Sequence, residues 1–266
     1  MKFWQVDAFT DKIFCGNPAG VFIFTEEPSE GLMKSIAREM NLSETAFIIK
    51  SPQLKIRWFT PNAEVNLCGH ATLSAAHILF EEGLVDSDQI IFDSRSGPLT
   101  VSHDERGYTL DFPLQPPSEK KEYIPFIKEI LGVVPDYIGS NGEDCIAVVS
   151  DERIVHSFIP DYQKICSLPE RGFLLTACCQ SGENDYIYRG FFPKLQVPED
   201  PVTGSANTCL APYWSMRLKK NTLNAYQVSE RGGKLGIEVL KNRVLITGSA
   251  VTAFEGSLKI DGDFSS

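Results

Sequence analysis

The sequence predicts an α+β protein built from two copies of one unit. Three observations support this fold class: a stretch that opens a helix occurs twice, further matching segments flank both copies in the same order, and short apolar runs with strand patterns separate a few helical segments. The chain has 266 residues, of which 42% are hydrophobic and 23% charged. This length allows one large or two medium domains, and the repeat selects two.

The first copy of the repeated stretch is Ile56–Phe80, which reads as a strand, a proline turn and a small-residue loop that opens a helix. Within it, Leu73, Ala76 and Leu79 recur at the 3.6-residue spacing of a helix. This spacing predicts a helix that is amphipathic or fully buried.

The predicted helix begins at Cys68-Gly69-His70-Ala71-Thr72. Small residues at its start leave the first backbone N–H groups uncovered, and these groups form the positive end of the helix dipole, which favours carboxylates and phosphates. We therefore predict that Gly69, Ala71 and Thr72 bind a small acidic substrate. The alternative is that the small residues only allow the helix to lie close to a neighbouring strand.

The second copy is Phe191–Trp214, in which Gly204-Ser205-Ala206 aligns with Gly69-His70-Ala71 at an offset of 135 residues. Three further matches are Pro61 with Pro193 at 132, Ala46–Ile49 with Gly172–Leu175 at 126, and Ser94–Leu99 with Glu230–Leu235 at 136. Such drift is expected from loops of different length. If a pseudo-twofold axis relates the copies, both helix starts point towards a common cleft, and Gly204 and Ala206 also bind substrate.

The remaining elements follow from apolar periodicity and from turn residues. In the first copy, strands are predicted at Phe3–Phe9, Val21–Phe24, Ser43–Lys50, Gln89–Ser94, Leu99–His103 and Tyr108–Phe112, with a helix at Glu30–Met40. In the second copy, helices are predicted at Tyr123–Leu131 and Asp161–Ile165, and strands at Tyr137–Ile138, Cys145–Val149, Phe173–Cys178, Tyr186–Phe192, Tyr226–Val228, Leu235–Leu240 and Arg243–Thr247.

The polar, proline-rich segment 115–121 is predicted to link the two copies. The domains are then residues 1–115 and 116–249. A last strand, Val251–Ile260, is left over, so the tail at about 250–266 is expected to return and complete the first domain's sheet.

Composition excludes several classes of protein. With 25 Lys+Arg against 35 Asp+Glu, the net charge is −10, which argues against nucleic-acid and anionic-membrane binding. The sequence has no signal peptide and no run of 18 apolar residues, so we expect a cytoplasmic protein. Seven cysteines without a C-x-x-C pair, and no H-x-x-H, predict neither disulfides nor a metal site. The hydrolase, Walker and Rossmann motifs are also absent from the sequence.

A few polar residues stand out as candidates for chemistry. Glu44 begins an apolar strand, where partial desolvation would raise its pKa and suit it to proton transfer; alternatively it is a solvated strand entry. His70 is the one histidine at a predicted ligand-facing helix start, and Ser205 takes its place in the second copy. There, Glu199 and Asp200 precede the helix. We expect one of these carboxylates to cap the helix and the other to face the cleft.

Four motifs, in order along the chain, together resemble the phenazine-biosynthesis PhzF-like isomerase family, whose wider fold group includes diaminopimelate epimerase. The motifs are Val6-Asp7-Ala8-Phe9 with Gly16-Asn17-Pro18, Asn41-Leu42-Ser43-Glu44-Thr45-Ala46-Phe47, Phe59-Thr60-Pro61 through Leu67-Cys68-Gly69-His70-Ala71-Thr72, and Glu199-Asp200-Pro201-Val202-Thr203-Gly204-Ser205-Ala206.

The resemblance implies two similar domains, each a curved, largely antiparallel sheet wrapped round a central helix, with the active site in the cleft between them. It also implies a homodimer and no cofactor. It assigns the catalytic acid/base to Glu44, with His70, Asp200 and Ser205 as supporting residues.

Epimerases of this fold group use two cysteines, one at each helix start, whereas this chain has Cys68 and Thr203. Because a threonine hydroxyl is far less acidic than a thiol, a two-thiol racemase is disfavoured. The sequence instead favours an isomerase in which one carboxylic acid moves a proton within a small carboxylate-bearing metabolite. Two alternatives stay open: a non-catalytic scaffold that binds a small acid or a protein, and a single-thiol epimerase that uses Cys68.

Overall fold

The computed structural model describes residues 1–50, 53–180 and 182–259, and it contains two compact units. Unit 1 comprises Met1–Asp111 and the chain from Thr247 onwards, and unit 2 comprises Phe112–Ile246. Both units combine mixed sheets with a few helices, so the α+β prediction is confirmed. The predicted end of the last strand, from residue 260 onwards, lies outside the described residues.

The elements are numbered in chain order. Those up to the first unit boundary are β1 Lys2–Ala8, β2 Asn17–Phe24, α1 Glu30–Met40, β3 Glu44–Ile49, β4 Lys55–Phe59, β5 Glu64–Val65, α2 Gly69–Glu81, β6 Gln89–Phe92, β7 Leu99–Asp104 and β8 Gly107–Pro113. The later ones are β9 Ser118–Glu119, α3 Ile124–Leu131, β10 Tyr137–Ser140, β11 Asp144–Val149, α4 Glu152–Ser157, α5 Tyr162–Cys166, β12 Gly172–Cys178, β13 Tyr186–Phe192, β14 Val197–Asp200, α6 Asn207–Leu218, β15 Thr222–Gln227, β16 Gly233–Val239, β17 Arg243–Gly248 and β18 Ala250–Ser257. Over the residues that are described, no helix has both the length and the apolarity to cross a membrane.

The main sheet of unit 1 has the strand order β18-β1-β2-β3-β4-β5. The β1/β2 and β3/β4 pairs are antiparallel, whereas β2 and β3, which α1 connects, are parallel. On one face, Phe22, Phe47 and Phe59 pack against Met33 and Ile36 of α1. Helix α2 contacts β1, β2, β3 and β18, and it is buried from its first residue through its eleventh. The prediction of a buried central helix is therefore confirmed for this unit.

Helix α1 forms at its predicted position for local reasons. The Ser29 hydroxyl accepts a hydrogen bond from the Leu32 N–H and caps the first turn. Met33 and Ile36 lie on one buried face at helical spacing. Asn41 then takes a left-handed conformation, with φ of 50°, which ends the helix and turns the chain into β3.

Unit 2 repeats this topology. Its strand order is β17-β16-β15-β13-β12-β11-β10-β9, with β14 paired to β13. The β10/β11 and β12/β13 pairs are antiparallel and the β11/β12 pair is parallel, as in the first four strands of unit 1. The predicted linker segment supplies β9, which pairs with β10. In each unit a strand from outside the repeat thus lies beside the first strand: the eight-residue β18 beside β1, and the two-residue β9 beside β10.

The duplication extends to single side chains, because each unit has an equivalent arginine–glutamate ion pair. Arg57 on β4 makes two hydrogen bonds of 2.7 Å to Glu64 on β5, and Arg189 on β13 makes bonds of 2.7 and 2.8 Å to Glu199 on β14. Each guanidinium also lies over the ring of the phenylalanine two residues further along its strand. The distance from the guanidinium carbon to the ring centroid is 5.2 Å for Phe59 and 5.0 Å for Phe191. Glu199 is therefore an ion-pair partner, which corrects the expectation that it could cap the second helix.

Strand pairing corrects one of the matches made from sequence. Ala46–Ile49 was aligned with Gly172–Leu175 at an offset of 126. In the sheets, Phe47 lies opposite the arginine of the first ion pair and Leu175 opposite the arginine of the second. Phe47 and Leu175 therefore occupy equivalent positions, and the offset between them is 128 residues. The match predicted from sequence is wrong by two residues. Apolar runs look alike in several registers, and only the partner strand decides between them.

The second repeated helix begins with a 3₁₀ turn and not with the predicted α-helical turn. Gly204–Ala206 form a 3₁₀ turn, in which the Ala206 N–H donates to the Thr203 carbonyl, and α6 begins only at Asn207. The Asn207 side-chain amide donates to the Gly204 carbonyl at 3.3 Å, and the Tyr188 hydroxyl donates to the Thr203 carbonyl at 3.1 Å. These side-chain bonds satisfy carbonyls that an α-helical first turn would use.

Candidate active site

The candidate active site in unit 1 lies where two parallel strands and a helix begin. Asn17 starts β2, Glu44 starts β3 and Cys68 is the N-cap of α2. The parallel pairing of β2 and β3 brings the first two residues to the same edge of the sheet. Successive side chains of a strand point to opposite faces, and Phe47 packs on α1, so Glu44 faces α2 and its second residue, His70.

Two of the predicted catalytic residues come together here. The Glu44 Oε2 atom lies 3.3 Å from the His70 Nε2 atom. The Glu44 side chain is 17% exposed and the His70 side chain 7%. Glu44 is therefore partly shielded from water and in contact with an imidazole, which is the surrounding expected of a proton-transfer group rather than of a solvated strand entry.

Asn17 and Ser43 set the orientation of the imidazole. The Asn17 side-chain nitrogen lies 3.2 Å from His70 Nδ1, and the Asn17 oxygen accepts the Ser43 hydroxyl at 3.4 Å. An amide nitrogen only donates, so Nδ1 accepts and the proton of the neutral ring is on Nε2. Two oxygen atoms lie near Nε2: Glu44 Oε2 at 3.3 Å and Ser43 Oγ at 3.4 Å.

Burial keeps this imidazole uncharged. Loss of solvation lowers the pKa of His70 below its usual value, and the neighbouring Glu44 charge opposes this effect only in part. An uncharged imidazole 3.3 Å from the carboxylate places no positive charge beside it. His70 therefore lies beside Glu44 without forming a charged ion pair with it.

Cys68 completes a compact cluster. Its sulfur lies 3.6 Å from His70 Nδ1 and 3.9 Å from His70 Nε2, and the residue is 7% exposed. One donor atom each from Glu44, Cys68 and His70 lie within 4.8 Å of one another. Carboxylate, thiol and imidazole are groups that exchange protons, and they are also metal ligands.

The start of α2 has the features expected of an anion site. Gly69, Ala71 and Thr72 are buried, and the first turn contains no acidic residue. The Cys68 side chain makes no capping bond, and helix geometry leaves the first-turn N–H groups without intrahelical partners. The Thr72 hydroxyl donates to the Cys68 carbonyl at 2.5 Å, so it is committed to the helix itself. Substrate binding by these residues stays a prediction.

The predicted residues of unit 2 lie at the start of its own repeated helix. The Thr203 hydroxyl donates to the Asp200 carboxylate at 2.5 Å, and the Thr203 N–H donates to the Gln227 side-chain oxygen at 2.6 Å. The Gln227 amide nitrogen in turn donates to the Asp200 carbonyl at 2.6 Å. These bonds form a closed loop that fixes the chain before the helix.

The three residues of the 3₁₀ turn differ in burial. Gly204 and Ala206 are buried, whereas Ser205 is partly exposed and its carbonyl accepts the Thr208 hydroxyl at 2.8 Å. The catalytic roles predicted for Asp200 and Ser205, and the binding roles of Gly204 and Ala206, stay predictions.

Sequence reasoning missed three polar residues that hold these sites. The sequence places Asn17 and Ser43 within motifs and Gln227 within a predicted strand, and it assigns no separate role to any of them. Asn17 and Gln227 are both fully buried. Only Asn17 stood out in the sequence, because it is a polar residue directly before a proline and an apolar strand. Asparagine is seldom fully buried, so its burial indicates a specific hydrogen-bond partner.

Fold and site together define a class: a duplicated α+β protein in which a carboxylate, an imidazole and a thiol meet at a helix start. The family model described as "Phenazine biosynthesis-like protein" matches residues 6–256, and the chain belongs to this family.

An uncharacterized isomerase from Halalkalibacterium halodurans is 43% identical over 96% of this chain and 97% of its own length. A crystal structure of a phenazine biosynthesis protein of the PhzF family from Enterococcus faecalis aligns with a TM-score of 0.93 and 42% identity, covering 97% of this chain and 99% of that chain. A probable proline racemase from Agrobacterium radiobacter, 11% identical, shares the fold with a TM-score of 0.61 over 98% of this chain and 93% of its own.

Proposed function

We propose that this protein is a cofactor-independent isomerase that moves a proton within a small carboxylate-bearing metabolite, with Glu44 as the acid/base. The observation that carries the proposal is the partly buried Glu44 carboxylate, 3.3 Å from an imidazole that burial keeps neutral. Membership of the phenazine biosynthesis-like family, in which a relative 43% identical is named an isomerase, supports the class of reaction.

In the proposed reaction, Glu44 removes a proton from a carbon that an adjacent carboxylate or double bond acidifies. The C–H bond breaks, its electron pair is delocalised over the unsaturated system, and the protonated Glu44 returns the proton to another carbon of that system. His70, whose Nε2 atom lies 3.3 Å from the carboxylate, would restrict the orientation of Glu44 through both steps. Holding donor and acceptor in place converts proton transfer into a step within one complex.

The start of α2 supports the electrostatic part of this proposal. A substrate carboxylate at the first-turn N–H groups of Gly69 and Ala71 would meet the positive end of the helix dipole. Negative charge develops on the substrate when the proton leaves, so these fixed donors stabilise the transition state more than the ground state. Glu44 faces the same helix start and would reach a carbon of the bound acid.

The test is the incorporation of solvent deuterium into a panel of small unsaturated or α-acidic carboxylates. Wild type is expected to exchange deuterium into at least one acid, and Glu44→Gln is expected to be about 10²- to 10⁴-fold slower, the usual contribution of a general acid/base. Glu39→Gln, which changes an exposed glutamate on α1, is the matched control and should exchange at the wild-type rate. Equal rates for Glu44→Gln and wild type would remove Glu44 from this role.

A single-thiol epimerase is the second candidate, because the Cys68 sulfur lies 3.6 Å from His70 Nδ1. In that reaction a thiolate at Cys68 would remove the proton from one carbon and a proton would return to the same carbon. Activity would then survive Glu44→Gln and disappear in Cys68→Ser. If the protein is the proposed isomerase, Glu44→Gln should lose more activity than Cys68→Ser.

A further inference from the structure

We infer that Glu44, Cys68 and His70 form a binding site for Zn²⁺, and that zinc bound there blocks the isomerase. The binding part stands on the geometry of the three side chains. The inhibitory part rests on the proposed function, since it requires Glu44 to carry the proton.

The three donors match the preferences of zinc. Zn²⁺ binds thiolate sulfur, imidazole nitrogen and carboxylate oxygen, and three protein ligands with a fourth position for water make a common zinc site. Among the described residues, Glu44, Cys68 and His70 are the group of such side chains whose donor atoms lie within 4.8 Å of one another. A mixed oxygen, nitrogen and sulfur set disfavours Mg²⁺ and Ca²⁺, which prefer oxygen alone.

The distance between the carboxylate and the imidazole fits a tetrahedral ion. Zinc–ligand bonds of about 2.0 to 2.3 Å place pairs of ligand atoms about 3.3 to 3.8 Å apart. His70 Nε2 lies 3.3 Å from Glu44 Oε2 and 3.9 Å from Cys68 Sγ. The imidazole nitrogen is thus already at the edge length of the tetrahedron from the carboxylate. The sulfur lies nearer to His70 Nδ1, at 3.6 Å, than to Nε2, so the Cys68 side chain must rotate towards Nε2 to complete the site.

The surrounding residues provide a second layer of support. A zinc-bound His70 Nε2 carries no proton, so its ring proton moves to Nδ1, next to the Asn17 amide. The Asn17 side-chain amide must then turn over. Its oxygen accepts the proton of Nδ1, and its nitrogen donates to the Ser43 hydroxyl. Hydrogen bonds of this kind fix the orientation of a metal-binding histidine. The Cys68 thiol gives up its proton when the bond to zinc forms.

Sequence motifs miss this site because its ligands come from two segments. Cys68 and His70 are two residues apart at the start of α2, and Glu44 is 24 residues earlier, at the start of β3. Zinc bound to these groups would occupy the carboxylate and displace substrate from it. The site therefore makes the enzyme sensitive to thiol-binding metals.

Cobalt is the probe for direct binding, because a thiolate–Co²⁺ bond gives a near-ultraviolet charge-transfer band. Co²⁺ added to the full-length chain should produce this band in wild type and in Cys166→Ser, which removes an exposed cysteine of unit 2. Cys68→Ser should lose the band. A band that persists in Cys68→Ser, or that disappears in Cys166→Ser, means adventitious binding to surface thiols only and overturns the inference.

Zinc stabilisation gives a second readout that needs no activity. A ligand that binds only the folded chain raises the melting temperature. Zn²⁺ should raise it for wild type and Cys166→Ser, and should leave it unchanged for Cys68→Ser, whose metal-free melting temperature also shows whether the variant is folded. No zinc-induced rise in wild type would overturn the site.

Inhibition is measured by deuterium exchange. Saturating Zn²⁺ should slow exchange by wild type at least 100-fold, and a chelator should restore it. If wild type exchanges deuterium but zinc has no effect on rate, spectrum or melting, the inference fails and the proposed function stands. If the cobalt band requires Cys68 but no acid is exchanged, the zinc site stands and the proposed function fails.

Discussion

The two repeated helix starts share a backbone plan and differ in chemistry. In unit 1 a thiol, an imidazole and a carboxylate meet, from Cys68, His70 and Glu44. The corresponding positions of the helix start in unit 2 carry the hydroxyls of Thr203 and Ser205. Hydroxyls of this kind do not titrate near neutral pH, so the carboxylate at the helix start of unit 2, Asp200, has no thiol or imidazole at these two positions. The two copies thus share a scaffold, but the cluster of thiol, imidazole and carboxylate lies in unit 1.

The position of the carboxylate shows this divergence most clearly. Glu44 pairs with Ala19 in unit 1, and by the same register Gly172 pairs with Asp144 in unit 2. A Cβ at Gly172 would overlap the Phe192 ring and lie 2.6 Å from Asp144 Oδ1. Unit 2 therefore has no room for a side chain at the position where unit 1 has the Glu44 carboxylate.

What both units kept is the ion pair that joins the strands before each helix. Arg57 and Glu64 in unit 1, and Arg189 and Glu199 in unit 2, make the same two-bond contact. These pairs fix the hairpin that leads into the helix start. The backbone before the helix is therefore held in the same way in both units, whereas the side chains at the helix start differ.

The largest effect on stability is expected from the ion pair of unit 2. Arg189 also donates to the Val155 and Phe158 carbonyls, and it is 12% exposed, so Arg189→Ala should lower the free energy of unfolding by about 3 kcal/mol. Arg57→Ala should cost less, because Glu64 keeps a 2.7 Å bond to Arg95. Urea unfolding of both variants measures the difference. Equal losses would show that the two ion pairs do not differ as described.

A methyl group at Gly172 should be the next most costly change. Gly172→Ala must displace the Phe192 ring, and overpacking of this kind costs about 1 to 3 kcal/mol. Its counterpart Glu44→Ala should change stability by less than about 1 kcal/mol, since the side chain is partly exposed, while deuterium exchange is lost. If Gly172→Ala unfolds at the wild-type urea concentration, the proposed register has no steric consequence.

Removing one hydroxyl should open the hydrogen-bonded loop of unit 2. Thr203→Val keeps the shape of the side chain but loses the bond to Asp200, so a loss of about 1 kcal/mol is expected. Thr203→Ser retains the hydroxyl and should recover most of that loss. Thermal unfolding of the two variants provides the comparison. A valine variant as stable as wild type would mean that the Asp200 bond contributes nothing.

The smallest expected effect is a dependence of stability on pH, and we expect it only in unit 1. Helix α2 carries His70 and His77, and burial lowers the pKa of both, whereas α6 contains no histidine. A folded-state pKa below the unfolded value of about 6.5 means that stability is complete above pH 6.5 and is lost as the pH falls, by less than about 1 kcal/mol per histidine at pH 6.

Amide hydrogen exchange of α2 and α6 at pH 7 and pH 6, each corrected for intrinsic rates, tests this prediction. Protection should fall in α2 and stay constant in α6, and His77→Gln should reduce the fall. The His77 ring also contacts Tyr108 and Thr252, so the acid-sensitive contacts include the C-terminal strand. Equal changes in both helices would contradict the assignment to the buried histidines.

The sequence by itself determined the repeat, the positions of most helices and strands, and the importance of the Gly-small-Ala helix starts. It also singled out Glu44 and His70 separately. These features depend on local signals: apolar periodicity, small residues at a helix start, and turn residues between strands. Local signals survive without knowledge of any partner segment.

The tertiary structure alone decided which residues meet. It brought Asn17 to the imidazole, joined Glu199 to Arg189, set the 128-residue register, and grouped Glu44 with Cys68 and His70. Each of these contacts joins segments that are distant in sequence, and each depends on a strand register or a helix position to within one residue. A shift of one residue in a strand turns a side chain to the other face of the sheet, so the chemistry of the site is fixed only when the strands pair.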